Sequence, residues 1–240
     1  MIFSPDYHII IAVIFMTELR HPYIAVDVRG HASYGGGQQF SENAMVQRCG
    51  CGIIAATDLL LYLSRWHPYG AADYFAGMLY DPLIPFPAYS SCILRISRRY
   101  FPMIPYAGIN GIMLMTGMQR FFREHGMPYS ARWCFASSRL WERISDMLQE
   151  DIPVVMSVGP NFPVIWGDKR VRFYCKTAGG VYTPGPAAKS HYFTVTGMDE
   201  EWLRISSWGR LYYLKRNEFI EYMRRYSLGF TSNILLIERK

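Results

Sequence analysis

The chain has no apolar run long enough to cross a bilayer. Its N-terminal apolar stretch, Ile9 to Met16, covers eight residues, where a membrane span needs about 20. A basic leader and a small-residue cleavage site are also missing, so the stretch reads as a buried strand rather than a signal peptide. With no export signal, the expected location is the cytoplasm. Internal repeats and low-complexity linkers are absent, which argues against repeat architectures and long disordered tails. Cysteine is scarce: Cys49, Cys51, Cys92, Cys134 and Cys175 form an odd, irregularly spaced set, and a full disulfide framework needs an even one. The Cys49–Gly50–Cys51 step offers two zinc ligands at most, and no other Cys/His pair has zinc spacing. The glycine-rich segment from Gly30 to Asn43 lacks a following Lys-Ser/Thr, so it is a polar loop and not a phosphate loop.

What is present is apolar material and a mild excess of positive charge. Half of the 240 residues are hydrophobic, enough for one large domain or two small ones. The net charge is +6. The basic residues cluster only at Arg95–Arg98–Arg99, Lys169–Arg170–Arg172 and Arg224–Arg225, with no recognition motif beside them, so no nucleic-acid partner is expected.

Helical spacing runs from Gly52 to Trp66 and stops at "HPYG". Asn110 is positioned to cap a second helix that ends at Gly126. Ser137 to Asp151 reads as a third, capped by Ser137 or Ser138, with Ile144, Met147 and Leu148 on one face. The texture then changes to strands: "IPVVMSVG", "SHYFTVTGMD", "EWLRISSWG", "RLYYLKR" and the tail "FTSNILLIERK". Helices first and an antiparallel sheet last predict an α+β fold. The Gly- and Pro-rich stretch from Gly159 to Ser190 is expected as a loop or flap.

Cys51 opens the first long helix, where unpaired N–H groups and the positive end of the dipole lower a thiol's pKa. A nucleophilic thiol needs a base. His191, at the head of an alternating strand, is the best placed of the six histidines. Gln47 and the Cys51 backbone N–H are candidate oxyanion donors. Cys49 reads either as an inert neighbour or as a partner in a strained reversible disulfide.

The order of these elements resembles the papain-like cysteine peptidase superfamily. It is closest to the bacterial branch that includes the bacteriocin-leader-processing peptidases. The matching residues are "QRCGCG" (Gln47–Gly52), the small pair Ala55–Ala56, the proline-led strand, His191 and "ISSWG" (Ile205–Gly209). The resemblance covers Gln47 to the C-terminus. It implies a peptidase domain over 46–240, with residues 1–45 as an extension packed on it. It also implies a helical N-terminal half followed by a sheet, an acyl-enzyme on Cys51, a peptide or protein substrate, and no metal or organic cofactor. One position departs. Where the family carries Asn or Asp, this chain has Ser206, which is left to orient the imidazole as a shorter, uncharged acceptor. Asp199 stands at the far end of the histidine strand, a poor substitute.

Overall fold

The run after Cys51 forms the buried centre of the molecule in the computed structural model, which describes residues 16–135 and 138–240. Among these, six α-helices are formed: α1 (Ala44–Cys49), α2 (Cys51–Trp66), α3 (Phe86–Tyr100), α4 (Gly111–Glu124), α5 (Leu140–Gln149) and α6 (Arg216–Tyr226). The early strands are β1 (Thr17–Glu18), β2 (Val26–Val28), β3 (His31–Ala32), β4 (Ile84–Pro85) and β5 (Tyr129–Trp133). The later ones are β6 (Val154–Val158), β7 (Val171–Lys176), β8 (Tyr182–Ala188), β9 (His191–Met198), β10 (Trp202–Ser207), β11 (Arg210–Lys215) and β12 (Leu235–Arg239). The protein is therefore of the α+β class.

Every residue of α2 from Gly52 to Ser64 is buried, as expected of a helix that is apolar on all sides. It packs against β9 and β6 on one side and against α3 and α4 on the other. Burial of Ile53, Leu59, Leu60, Leu61 and Leu63 stabilises the fold by roughly 1.5–3 kcal/mol each before entropy is counted.

β9 is the axis of the main sheet. β10 lies antiparallel along one edge, with Leu203 opposite Met198. β6 and β1 share the other edge end to end: Val158 faces His191, and Thr17 faces Met198. Beyond β10 the order continues β11, β7, β8. β12 pairs with β5 in a separate two-stranded sheet. The five residues of β6 are all buried, in keeping with its unbroken apolar sequence.

Several sequence expectations are met and others are corrected. Asn110 caps α4, its side chain accepting from the Met113 N–H at 2.9 Å. No serine caps α5. Its N-cap is Arg139 at φ 64°, without a side-chain cap bond, and Ser137 lies outside the described residues. The stretch from Gly159 to Ser190 is not a simple flap. Its central part is the β7–β8 hairpin, built into the sheet through the Tyr213–Tyr174 pair. α6, with Phe219, Tyr222 and Met223 buried, had no counterpart in the sequence reading.

Most of the Ile9–Met16 stretch lies outside the described residues; Met16 itself is exposed. From Thr17 onward the N-terminal segment is woven into the body. The Arg20 N–H, His21 Nδ1 and Tyr62 hydroxyl all converge on the carboxylate of Asp151, a residue held at φ 62°. Burial pushes that carboxyl up, but the bonds from Tyr62, His21 and the Arg20 amide outweigh it, and its pKa is lowered. The contact ties the segment before β2 to the far end of α2. Among the described residues no helix is long and apolar enough to cross a membrane.

Candidate functional site

Two helices meet end to end at the thiols. Asn43 caps α1, its side-chain oxygen accepting from the Met45 and Val46 amides at 3.1 Å. α1 ends at Cys49, Gly50 makes the junction, and α2 begins at Cys51. Both thiols are free and half-buried. The Cys49 Sγ donates back to the Met45 carbonyl at 3.1 Å. Gly52 lets the head of α2 sit close to its surroundings. A Cβ there would come within 2.8 Å of the Ile109 side chain and 3.1 Å of the Tyr192 ring.

His191 reaches the same place from the sheet. It is the first residue of β9, and it lines the cleft together with the next residue, Tyr192, and with Cys51. The imidazole is buried and stacked under Trp208, with centroids 4.4 Å apart. Its Nε2 lies 2.8 Å from the Ser207 Oγ. If Nε2–H donates to that hydroxyl, Nδ1 keeps a free lone pair for a proton.

Burial sets the charge of both groups. It lowers the His191 pKa to about 3. It also raises the Cys51 thiol, although the amides of Tyr192 and Gly52 pull the other way. A helix-opening thiol is expected to be acidified, but here desolvation outweighs the helix end. Both directions favour the uncharged forms, a neutral thiol and a neutral imidazole lining one cleft.

Ser206 and Gln47 make other contacts than the expected ones, and neighbouring residues stand closer to the imidazole and the cleft. Ser206 lines the same small cavity as Cys51, His191 and Ser207, but its Oγ donates to the Tyr34 carbonyl at 2.7 Å. Ser207 is the residue that meets the imidazole. Gln47 is exposed and lines a neighbouring depression with Arg48, Cys49 and Tyr106. The glutamine that lines the cleft with Cys51 and His191 is Gln38. Its Nε2 donates to the Gln47 backbone carbonyl at 3.0 Å, and its buried Oε1 has no hydrogen-bond partner among the described residues. Asp199 stays remote, its carboxylate accepting from the Glu201 and Trp202 amides.

A buried acid holds this arrangement. Asp58 lies seven residues after Cys51, two turns along the same face of α2. Its carboxylate accepts from the Tyr89 hydroxyl at 2.6 Å, the Gly36 N–H at 2.9 Å and the Tyr23 hydroxyl at 3.4 Å. Burial, partly offset by these bonds, raises its pKa to about 6. Gly36 is on the loop that carries Gln38, and the same loop is clamped to the β10–β11 turn. Gly209 N–H donates to the Gly36 carbonyl, and Tyr34 N–H to the Gly209 carbonyl, both at 2.9 Å. That turn has positive φ at Trp208 and Gly209, the type I′ geometry of two-residue hairpins. Asp58 carried a signal that the sequence reading passed over: it is the one charged residue between Cys51 and Ser64.

The cleft has a volume of about 740 Å³. Cys51 and His191 form part of its lining, with Trp133, Tyr192 and Trp208 as aromatic surface. Among the described residues, no group of three or more His, Cys, Asp or Glu side chains could hold a metal ion. Compared with protein-family models, with curated proteins and with solved structures, the chain gives no significant match to any of the three.

Proposed function

We propose that the protein is a thiol acyl-transfer enzyme of the cysteine-peptidase type, with a papain-like arrangement of helix and sheet. The observation that carries this reading is the meeting of a helix-opening cysteine and a strand-opening histidine on one cleft, with the imidazole fixed from behind by Ser207 at 2.8 Å. In this mechanism the Cys51 Sγ attacks the carbonyl carbon of a peptide or amide bond. His191 Nδ1 takes the thiol proton as the C–S bond forms, because the resting pair is neutral. The oxyanion is received by the Cys51 N–H and the Gln38 side-chain amide. The amine then leaves with the proton returned by His191, and water hydrolyses the thioester. An amine acceptor in place of water would make the same pair a transpeptidase.

A second reading is a papain-like cleft that holds peptides without cutting them. It is favoured by the low basicity of His191, with a pKa of about 3, and by an orienting hydroxyl where a carboxylate or carboxamide would stabilise an imidazolium better. The two readings separate on labelling by a peptidyl vinyl sulfone, followed by mass mapping, in wild type and His191→Ala. Modification of Cys51 that is lost in the variant is expected. Cys51 left unmodified while iodoacetamide still reaches it at alkaline pH would remove the enzymatic reading.

A further inference from the structure

We propose that the cleft selects acidic peptides. This rests on the acyl-transfer reading for the peptide, but not for the charge. Among the described residues lining the cleft there are three cations, Arg48, Arg170 and Lys189, and no aspartate or glutamate. They stand on opposite walls. Arg48 precedes Cys51 by three residues on the helical side, and Lys189 precedes His191 by two on the sheet side.

Arg48 makes no ion pair among the described residues. Its guanidinium lies over the exposed Tyr106 ring, 5.7 Å from the centroid. A guanidinium without an ion-pair partner has its N–H fork available to a planar carboxylate. Arg170 and Lys189 share a single partner. Asp168 lies 2.9 Å from each and is not part of the cleft lining. One carboxylate against two cations leaves a positive excess on that wall. Of the sequence cluster Lys169–Arg170–Arg172, only Arg170 faces the cleft. Lys169 sits by the Tyr226 ring, and Arg172 donates to the Gly185 carbonyl.

The floor between the walls is apolar and aromatic, with Ile109, Trp133, Tyr192 and Trp208. An extended peptide lying on it advances about 3.3 Å per residue. Carboxylate side chains on such a peptide can meet the cations Arg48, Arg170 and Lys189 that line the cleft. A nucleic acid would satisfy the same charges, but it offers no peptide bond for the Cys51–His191 pair to cleave.

The test uses the full-length Cys51→Ala protein and three fluorescent decapeptides: alternating Glu-Ala, its Gln-Ala isostere and its Lys-Ala counterpart. Anisotropy gives each Kd. At about 0.15 M salt the Glu peptide is expected to bind about tenfold more tightly than the Gln peptide, because each partly exposed ion pair contributes roughly two- to fivefold. Arg48→Gln and Lys189→Gln, with unchanged thermal midpoints, should each weaken only the Glu peptide. Salt near 1 M should erase the preference, because the Debye length falls to about 3 Å. Equal binding of the Glu and Gln peptides, binding of neither, or indifference to both variants would overturn the proposal. Equally effective displacement by a single-stranded oligonucleotide would also overturn it, in favour of nucleic acid. Cys51 unreactive toward the vinyl sulfone, with the Glu preference intact, defeats the acyl-transfer reading alone. A reactive Cys51 without that preference defeats this inference alone.

Discussion

The indole of Trp208 lies flat on the imidazole of His191, with centroids 4.4 Å apart and planes 17° from parallel. Trp208 keeps that position at φ 50°, a left-handed backbone that costs a non-glycine residue of order 1 kcal/mol or more. The hairpin register and the bonds from Gly209 and Gln39 to and from this turn hold it there. The stack covers the imidazole, and burial keeps it neutral.

Trp208→Ala should return water to the imidazole and move its pKa from about 3 toward the free value of about 6.5. Nitrogen-15 or proton titration of the ring would show it. The stability consequence has a definite sign. The wild-type folded pKa lies below the unfolded one, so the unfolded chain binds the proton first. Stability is present above pH 6.5 and lost as pH falls toward 3, at up to about 1.4 kcal/mol per pH unit. The variant should show a shallower acid limb, and an unchanged titration midpoint would refute the role of the stack.

Ser207→Ala and Ser206→Ala should separate cleanly despite adjacency. Loss of the Ser207 hydroxyl frees the ring at Nε2 and should slow vinyl sulfone labelling of Cys51 by about tenfold, the effect of about 1.4 kcal/mol. Loss of the Ser206 hydroxyl removes its bond to the Tyr34 carbonyl and should cost about 1 kcal/mol of stability, with labelling nearly unchanged. A reversed order would give Ser206 the orienting role.

The two glutamines make a parallel pair. If Gln38 supplies the side-chain oxyanion donor, Gln38→Ala should lower turnover of a cleavable peptide by roughly 10²–10³, as removal of such donors does elsewhere. Gln47→Ala should lower it by little. Steady-state kcat on both variants decides, and a larger loss from Gln47→Ala than from Gln38→Ala would give the donor role to Gln47.

Asp58→Ala would strand the Gly36 N–H and the Tyr89 hydroxyl in a buried site. The expected loss is about 3 kcal/mol in urea denaturation, since each buried unsatisfied group costs about 1–3 kcal/mol. Asp58→Asn should recover part of it. In the wild type the carboxyl should titrate near pH 6. Its folded pKa lies above the unfolded value of about 3.9, so the contribution of this group to stability declines as pH rises from about 4 through 6. A carboxyl resonance titrating near 4 would contradict the buried assignment.

Helix α2, the α4 cap at Asn110, the β6 strand and the β9–β10–β11 meander were legible in the residues. Each is specified by short-range pattern: apolar spacing, a capping side chain, alternation, a Trp-Gly turn. α6 was missed because its stretch is strongly polar and buries only three residues. The β7–β8 hairpin was hidden by glycine and proline in its strands, and β1 to β4 are too short to announce themselves.

At the site the division has the same cause. The sequence by itself determined that a cysteine opens the central helix, that a histidine opens a late strand, and that a tight turn follows β10. These are properties of neighbours along the chain. Only the tertiary structure decided which serine meets the imidazole, because the fold brings the Ser206 hydroxyl to the Tyr34 carbonyl and the Ser207 hydroxyl to the ring. It also decided which glutamine enters the cleft, because Asp58 on α2 fixes a loop that begins 22 residues earlier at Gly36. And it decided that the thiol and the imidazole rest uncharged, because protonation follows burial, and burial is a property of the assembled fold.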